Sequence, residues 1–106
     1  MKGDVVVVPF PFSDLSATKS RPALVSAVLD SDDIILSQIT SVKRKDSYSI
    51  VLLNNDFKSG TLEKESVIRP NRLFTADKSL ILYKVGSIKN NKLKDVEDKI
   101  VKIFRN

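Results

Sequence analysis

The stretch GDVVVVPFPF (residues 3–12) decides the fold, together with RPALV (residues 21–25), which follows it after a polar connection. Valine is β-branched, and the unbroken valine run predicts a strand that is buried on both faces or central to a small barrel. Pro9 and Pro11 carry no backbone N–H group, so we expect the pairing of this strand to end there. The chain therefore begins as a β protein.

Further apolar runs follow at a spacing of about ten residues, separated by residues that favour turns. We expect strands at Ala23–Leu29, Ile34–Ile39, Tyr48–Leu53 and Glu65–Arg69, an extended piece within Leu80–Ile88, and a short helical piece at Asn71–Phe74. Pro70 is expected to stop the Glu65–Arg69 strand, because proline cannot donate to a ladder.

One long amphipathic pattern closes the chain and predicts a helix. Its apolar face comprises Leu93, Val96, Ile100, Ile103 and Phe104, and Asn90 or Asn91 is the expected N-cap. Short strands with one terminal helix predict a mainly β (α+β) fold, built as a small, strongly bent antiparallel sheet or barrel. With 106 residues we expect one domain over residues 1–106.

Composition narrows the classes of function. The formal net charge of +5 favours a polyanionic partner such as nucleic acid or an acidic peptide. The chain has no cysteine and no histidine, so a disulfide framework, thiolate chemistry, the usual metal ligand and the usual neutral-pH base are all missing. We expect no cofactor. No apolar run has the length of a membrane span and no signal peptide is evident, so we expect a cytoplasmic protein.

Two predicted strands carry polar groups at their ends. Arg21 stands where a loop becomes a strand, and Pro22 stiffens it in an extended conformation. Thr40 and Ser41 end the third strand and precede the basic segment 43–45. An arginine fork gives two hydrogen bonds to one phosphate, and a hydroxyl can anchor a phosphate oxygen or relay a proton. Spacing alone does not decide whether the two strand ends meet.

Each of these features also has a purely structural interpretation. An arginine before a proline is often a surface residue that is ion-paired, here with Asp4 or Asp14. A threonine at a strand end is often a β-former that bonds to its own backbone. Lys43, Arg44 and Lys45 are consistent with a solvated hairpin tip or with contacts to an RNA backbone.

Taken in order, five segments resemble the MazF/PemK family of toxin endoribonucleases. They are the Gly3-Asp4 strand, the Arg21-Pro22 strand, the Ile39-Thr40-Ser41 strand end, SVIRP (residues 66–70) and LFTADK (residues 73–78). The resemblance covers nearly the whole chain. It implies a small SH3-like barrel of the MazF/PemK/CcdB toxin type, in a homodimer that belongs to a type II toxin–antitoxin pair.

The same resemblance implies an activity and partners. Single-stranded RNA would be cut at a short sequence without metal, by attack of its own 2′-hydroxyl, which leaves a 2′,3′-cyclic phosphate and a 5′-hydroxyl. A cognate antitoxin with an acidic flexible tail would compete for the RNA groove. The family's catalytic residues correspond to Arg21 and Thr40, with Ser41 beside them, and the strand ends would converge.

RNA contacts are expected from residues around this centre. They are Phe12, Asp14, Lys19, Lys43, Arg44, Arg72 and Asp77. Phe10 and Phe12, flanked by prolines, are the expected stacking platform, whereas Phe57 and Phe74 are assigned to the core.

The proton carriers remain open. Some family members carry a histidine or an acidic group in the first loop, and this chain has no histidine. Proton transfer therefore falls to Arg21, a hydroxyl, a carboxylate such as Asp14, or water. Glu63 and Glu65 are further candidates for a general base, and spacing favours neither.

Two other functions fit the same sequence. A toxin of this fold can act by binding a protein target such as DNA gyrase, and small barrels also serve as non-catalytic RNA-binding modules. The paired polar groups at the two strand ends count against both, because neither function requires them.

Overall fold

The computed structural model describes residues 1–10, 19–42 and 46–106, and these form one antiparallel sheet of seven strands with a C-terminal helix. The strands are β1 (Asp4–Phe10), β2 (Lys19–Val28), β3 (Asp33–Thr40), β4 (Ile50–Leu52), β5 (Phe57–Gly60), β6 (Ser66–Asp77) and β7 (Tyr83–Ile88). Helix α1 covers Asn90–Arg105, and single 3₁₀ turns lie at Asn54–Asp56 and Lys78–Leu80.

The strands lie in the order β4-β6-β3-β2-β1-β7-β5. Among the described residues the two end strands, β4 and β5, do not pair with each other, so the sheet is a curled half-barrel rather than a closed barrel. The prediction of a mainly β fold with a strongly bent antiparallel sheet and a C-terminal helix is confirmed.

Strand β1 lies near the middle of the sheet and separates two apolar clusters. The cluster that includes the helix residue Val96 contains Val5, Leu24, Ile39, Leu52, Phe57, Ile68 and Ile88. The cluster on the other face contains Val6, Val8, Phe10, Ala23, Val25, Ile34 and Leu36. Successive side chains of a strand point to opposite faces, so the two clusters bury both faces of β1. An apolar β-branched residue is therefore suited to each position from Val5 to Val8.

The prediction that Pro9 ends the pairing of β1 is wrong. Pro9 lies opposite Ser20 and Phe10 lies opposite Lys19 in the ladder with β2. The pairing of β1 with β7 stops at Val7, whose carbonyl oxygen accepts a hydrogen bond from the Leu82 amide. Backbone groups of residues two apart in a strand point to the same neighbouring strand, so the nitrogen of Pro9 faces the β7 side, as Val7 does. The pairing with β7 has already ended there, and no N–H donor is needed.

The predicted strand end at Pro70 and the helical piece at Asn71–Phe74 are also wrong, because β6 runs through both. Its register with β3 jumps from Leu73 opposite Ser37 to Arg69 opposite Gln38. Residues 70–72 therefore form a bulge that is not paired with β3. A proline is tolerated in a bulge because the ladder asks for no donor there.

Helix α1 packs with Val96 fully buried and with Leu93 and Ile100 against the same cluster. Phe104, predicted on the buried face, is 72% exposed. Lys89 occupies the N-cap position without a side-chain capping bond, so the prediction of Asn90 or Asn91 as the cap is wrong. The Lys89 amide instead donates to the Asp56 carbonyl oxygen at 2.8 Å, which fixes the entry to the helix.

No helix in the described ranges has the length and apolar character needed to pass through a lipid bilayer.

Candidate functional site

A cavity of about 710 Å³ lies where β2 begins and β3 ends. Four of the residues predicted from the sequence to act in the site line it: Lys19 and Arg21 from β2, and Thr40 and Ser41 from the end of β3. The remaining lining residues come from β1, β2, β3, the connection between β5 and β6, the start of β6, and β7. They are Val7, Ser20, Pro22, Ile39, Thr61, Leu62, Glu63, Lys64, Ser66, Tyr83 and Val85.

The register of the sheet explains why distant residues meet here. Strands β2 and β3 are antiparallel, with Ala23 opposite Gln38. This pairing places the beginning of β2, which carries Arg21, beside the end of β3, which carries Thr40. Both residues thus come to line one cavity.

Arg21 lies inside a ladder rather than at the end of a loop. It is opposite Val8 of β1, and Pro22 is opposite Val7. The strand therefore begins at Lys19, four positions before the predicted start at Ala23. The backbone of Arg21 is held in place by its pairing with β1. An arginine side chain keeps its charge at any physiological pH.

Thr40 is 6% exposed, and its Oγ1 accepts a hydrogen bond from the Val42 amide at 3.2 Å. This bond occupies an acceptor site of the hydroxyl, and the O–H remains able to donate to a group in the cavity. The bond also fixes the backbone where β3 ends. Ser41, the next residue, is exposed and lines the same cavity.

The charges around the cavity favour an anion. Three cationic side chains line it, those of Lys19, Arg21 and Lys64, and Glu63 is the one carboxylate among its described lining residues. A cleft with a positive excess concentrates anionic groups such as phosphates. In the ranges that the structure describes, no cluster of histidine, cysteine, aspartate and glutamate is arranged to hold a metal ion.

An ion pair between the buried side chain of Arg69 and the exposed Asp46 anchors the chain before β4. The Arg69 Nη2 atom lies 3.5 Å from Asp46 Oδ2, and the Arg69 side chain is 9% exposed. Asp46 Oδ1 accepts hydrogen bonds from the amides of Ser49 at 2.8 Å and Tyr48 at 3.0 Å. The Ser49 amide, aided by the charge of Arg69, holds the pKa of Asp46 below its usual value. Residues 46–49, which precede β4, are thereby tied to β6.

Two predicted RNA-contacting residues lie outside the cavity lining. Arg72 is exposed in the bulge of β6, and Asp77 ends that strand. The Asp77 carboxylate accepts a hydrogen bond from the Ser79 amide at 2.8 Å, which lowers the pKa of Asp77 and starts the following 3₁₀ turn. Their role in RNA binding stays a prediction.

Other predicted residues are not described by the structure. Phe12, Asp14, Lys43 and Arg44 lie in residues 11–18 and 43–45, outside the described ranges.

Among the described residues, the aromatic side chain at the cavity is that of Tyr83 and not that of Phe10. Phe10, expected in an exposed platform, is 5% exposed and packs edge-on against Phe74 with ring centroids 4.7 Å apart. Its side chain points into the second apolar cluster, as the alternation from Val6 and Val8 requires. Tyr83 is instead 60% exposed and lines the cavity.

Tyr83 reaches the cavity through its place in the sheet. It is opposite Val7, and Val7 is opposite Pro22, so the three residues form one row across β7, β1 and β2. Sequence reasoning missed Tyr83 because no local pattern shows that the last strand pairs with the first.

Comparisons with known proteins agree with this fold. The family model of PemK-like, MazF-like toxins of type II toxin–antitoxin systems matches residues 1–104. No curated protein matches the sequence.

Several solved structures share the fold. The Mycobacterium tuberculosis toxin MazF-mt6 has a TM-score of 0.75 at 14% identity, with 96% of each chain covered. MazE–MazF from Deinococcus radiodurans (Form-II) has a TM-score of 0.76 at 17% identity, covering 98% of this chain and 94% of that chain. An endoribonuclease in complex with its cognate antitoxin, from a mycobacterial species, has a TM-score of 0.72 at 10% identity, covering 99% and 94%.

Proposed function

Because the chain belongs to the PemK-like, MazF-like family of toxins of type II toxin–antitoxin systems, we propose that it is a metal-independent endoribonuclease that cuts single-stranded RNA at a short sequence. The observation that carries the proposal is the shared cavity of Arg21 and Thr40. A guanidinium and a hydroxyl that line one cavity match the needs of one phosphodiester.

RNA supplies its own nucleophile for this reaction. The 2′-hydroxyl attacks the adjacent phosphorus in line, and negative charge grows on the non-bridging phosphate oxygens. Arg21 donates two hydrogen bonds to those oxygens, and the Thr40 hydroxyl donates a third. The products are a 2′,3′-cyclic phosphate and a 5′-hydroxyl, and Ser41 assists from the cavity rim.

The rest of the cavity suits a single-stranded chain. Lys19 and Lys64 provide charge for the phosphates on either side of the cut, and the exposed ring of Tyr83 offers a face on which a base can stack. A volume of about 710 Å³ lies in the range of sites that hold ligands of nucleotide size.

The partners follow from the same family membership. The protein acts in the cytoplasm as a homodimer and is held inactive by a cognate antitoxin with an acidic flexible tail. The net charge of +5 suits both an acidic tail and RNA. Among the structural neighbours, the MazF of Deinococcus radiodurans was solved with MazE.

The test is cleavage of a long transcript in EDTA, with the ends mapped. Arg21→Ala and Thr40→Val are each expected to lower the rate by about 10²–10³-fold, because each removes a donor to the developing charge. Arg105→Ala and Thr75→Val are matched controls, since both residues are exposed and neither lines the cavity. Variants of Arg21 and Thr40 that both cut at the wild-type rate would refute the site assignment.

The same assay separates the other functions. RNA that is bound with a steep salt dependence but never cut indicates a non-catalytic RNA-binding module. A toxic protein that neither binds nor cuts RNA indicates a protein target such as DNA gyrase.

A further inference from the structure

We propose that Glu63 is the general base that takes the proton from the attacking 2′-hydroxyl; this inference rests on the proposed function. Glu63 lines the cavity with Arg21 and Thr40. The other described side chains of the lining are cationic, hydroxylic or apolar, so Glu63 is the one carboxylate among them. Arg21 does not deprotonate in a protein, and hydroxyls are far weaker bases than a carboxylate.

The backbone around Glu63 is held on both sides. Leu62, the residue before it, is partly buried against the cluster that contains Val96. Lys64, the residue after it, is held by its carbonyl oxygen, which accepts a hydrogen bond from Ser66 Oγ at 3.0 Å. A base whose backbone is fixed at both neighbours loses little freedom when substrate binds, which is the usual condition for efficient proton transfer.

The fold also separates two residues that the sequence leaves equivalent. Glu63 and Glu65 are both exposed carboxylates in the same short connection. Glu63 belongs to the cavity lining, and Glu65 does not. Residue 65 directly precedes β6, where the chain turns away into the ladder with β4.

The proposed step conserves atoms and charge. A carboxylate oxygen of Glu63 accepts the proton of the 2′-hydroxyl while the O2′–P bond forms and the P–O5′ bond breaks. The leaving 5′ oxygen takes a proton from a water molecule, and the protonated carboxyl of Glu63 returns its proton to the resulting hydroxide. Lys19, Arg21 and Lys64 offset the repulsion between the carboxylate and the phosphate.

The test compares Glu63→Gln with Glu65→Gln in single-turnover cleavage of a short RNA in EDTA, over a range of pH. General-base catalysis is worth about 10²–10⁴-fold, so Glu63→Gln should lower the rate of the chemical step by that factor with an unchanged Kd for RNA. It should also remove the fall in rate on the acidic side of the pH profile. Glu65→Gln should keep both the rate and the profile.

A second substrate identifies the kind of proton transfer. RNA with a bridging sulfur in place of O5′ has a leaving group that needs no acid. The defect of Glu63→Gln should persist on this substrate if Glu63 is the base. A defect that vanishes would overturn the assignment, because it would mean that Glu63 protonates the leaving group.

Two further results would overturn the inference. If Glu63→Gln cuts RNA at the wild-type rate, Glu63 is not the base, and the proposed function stands. Loss of the acidic limb of the pH profile in Asp14→Asn would then identify Asp14 as the base. A wild-type protein that cuts no RNA refutes the proposed function and this inference with it. Because residue 63 is exposed, both glutamine variants are expected to fold, and their thermal melts check this.

Discussion

Gly60 and Gly86 face each other across β5 and β7, and the space between the two strands has no room for a side chain. A Cβ atom on Gly60 would collide with the Val85 carbonyl oxygen and lie 2.8 Å from Gly86 Cα. A Cβ atom on Gly86 would collide with the Ser59 carbonyl oxygen and lie 2.9 Å from Gly60 Cα. Alanine at either position must therefore push β5 away from β7.

Three alanine variants separate the cost of a left-handed backbone conformation from the cost of a steric collision. Gly3→Ala tests backbone conformation, because φ is +90° there while the added Cβ meets only Leu93 Cδ2 at 3.4 Å, an ordinary contact. Gly86→Ala tests the collision without a positive φ. Gly60→Ala combines both, since its φ is +70°.

The expected magnitudes differ enough to measure. A left-handed alanine costs about 1–2 kcal/mol, and overpacking costs about 1–3 kcal/mol. Each Gly→Ala change recovers about 0.4–1 kcal/mol through the unfolded chain. We therefore expect losses of about 0.5–1 kcal/mol for Gly3→Ala, about 1–2 kcal/mol for Gly86→Ala, and about 2–4 kcal/mol for Gly60→Ala.

Urea unfolding followed by circular dichroism measures these differences. A loss of 2–4 kcal/mol is a large part of the about 5–15 kcal/mol that stabilises such a domain, and each kcal/mol lowers Tm by about 4–8 °C. If Gly60→Ala is no less stable than Gly3→Ala, the close approach of β5 to β7 is wrong. Residues 61–64 follow β5 directly and form one wall of the cavity, so folded Gly86→Ala protein should also cut RNA more slowly.

Three further predictions concern charge and stacking. Asp46→Asn should destabilise the protein at neutral pH but not in acid. The lowered pKa of Asp46 in the folded protein contributes stability at pH values above the unfolded pKa of about 3.9, and that stability is lost as pH falls through the folded pKa. The difference in stability from wild type, measured by urea unfolding, should therefore vanish at pH values below the folded pKa. Tyr83→Ala should weaken binding of a 2′-O-methyl RNA by about 1–3 kcal/mol in fluorescence anisotropy, with Tyr83→Phe close to wild type; equal losses would mean that the hydroxyl, not the ring, makes the contact. Lys19→Gln and Lys64→Gln should each reduce the slope of log Kd against log salt by about 0.7, and an unchanged slope would place that lysine away from the phosphates.

The sequence predicts the elements of this fold better than their ends. The valine run of β1 and the apolar stripe of α1 are local patterns, and both elements form where these patterns lie. Pro9 and Pro70 mislead because the rule that proline ends a strand depends on whether the ladder needs a donor at that position. That need is set by the partner strand, which local sequence does not show.

The site shows the same division between local and long-range information. Arg21 and Thr40 could be singled out because each stands at the end of a predicted apolar strand, and the family resemblance implied that the two ends meet. No local pattern distinguishes Glu63 from Glu65 or predicts that Tyr83 lines the cavity. Tyr83 reaches the cavity because β7 pairs with β1, and Glu63 reaches it because β5 pairs with β7. That closure requires glycine at 60 and 86, and no local pattern of apolar residues shows that these two positions face each other. The wall of the cavity that carries the proposed base thus depends on a backbone contact 23 residues away from Glu63 in sequence, at Gly86, and loss of activity in folded Gly86→Ala protein would trace that dependence directly.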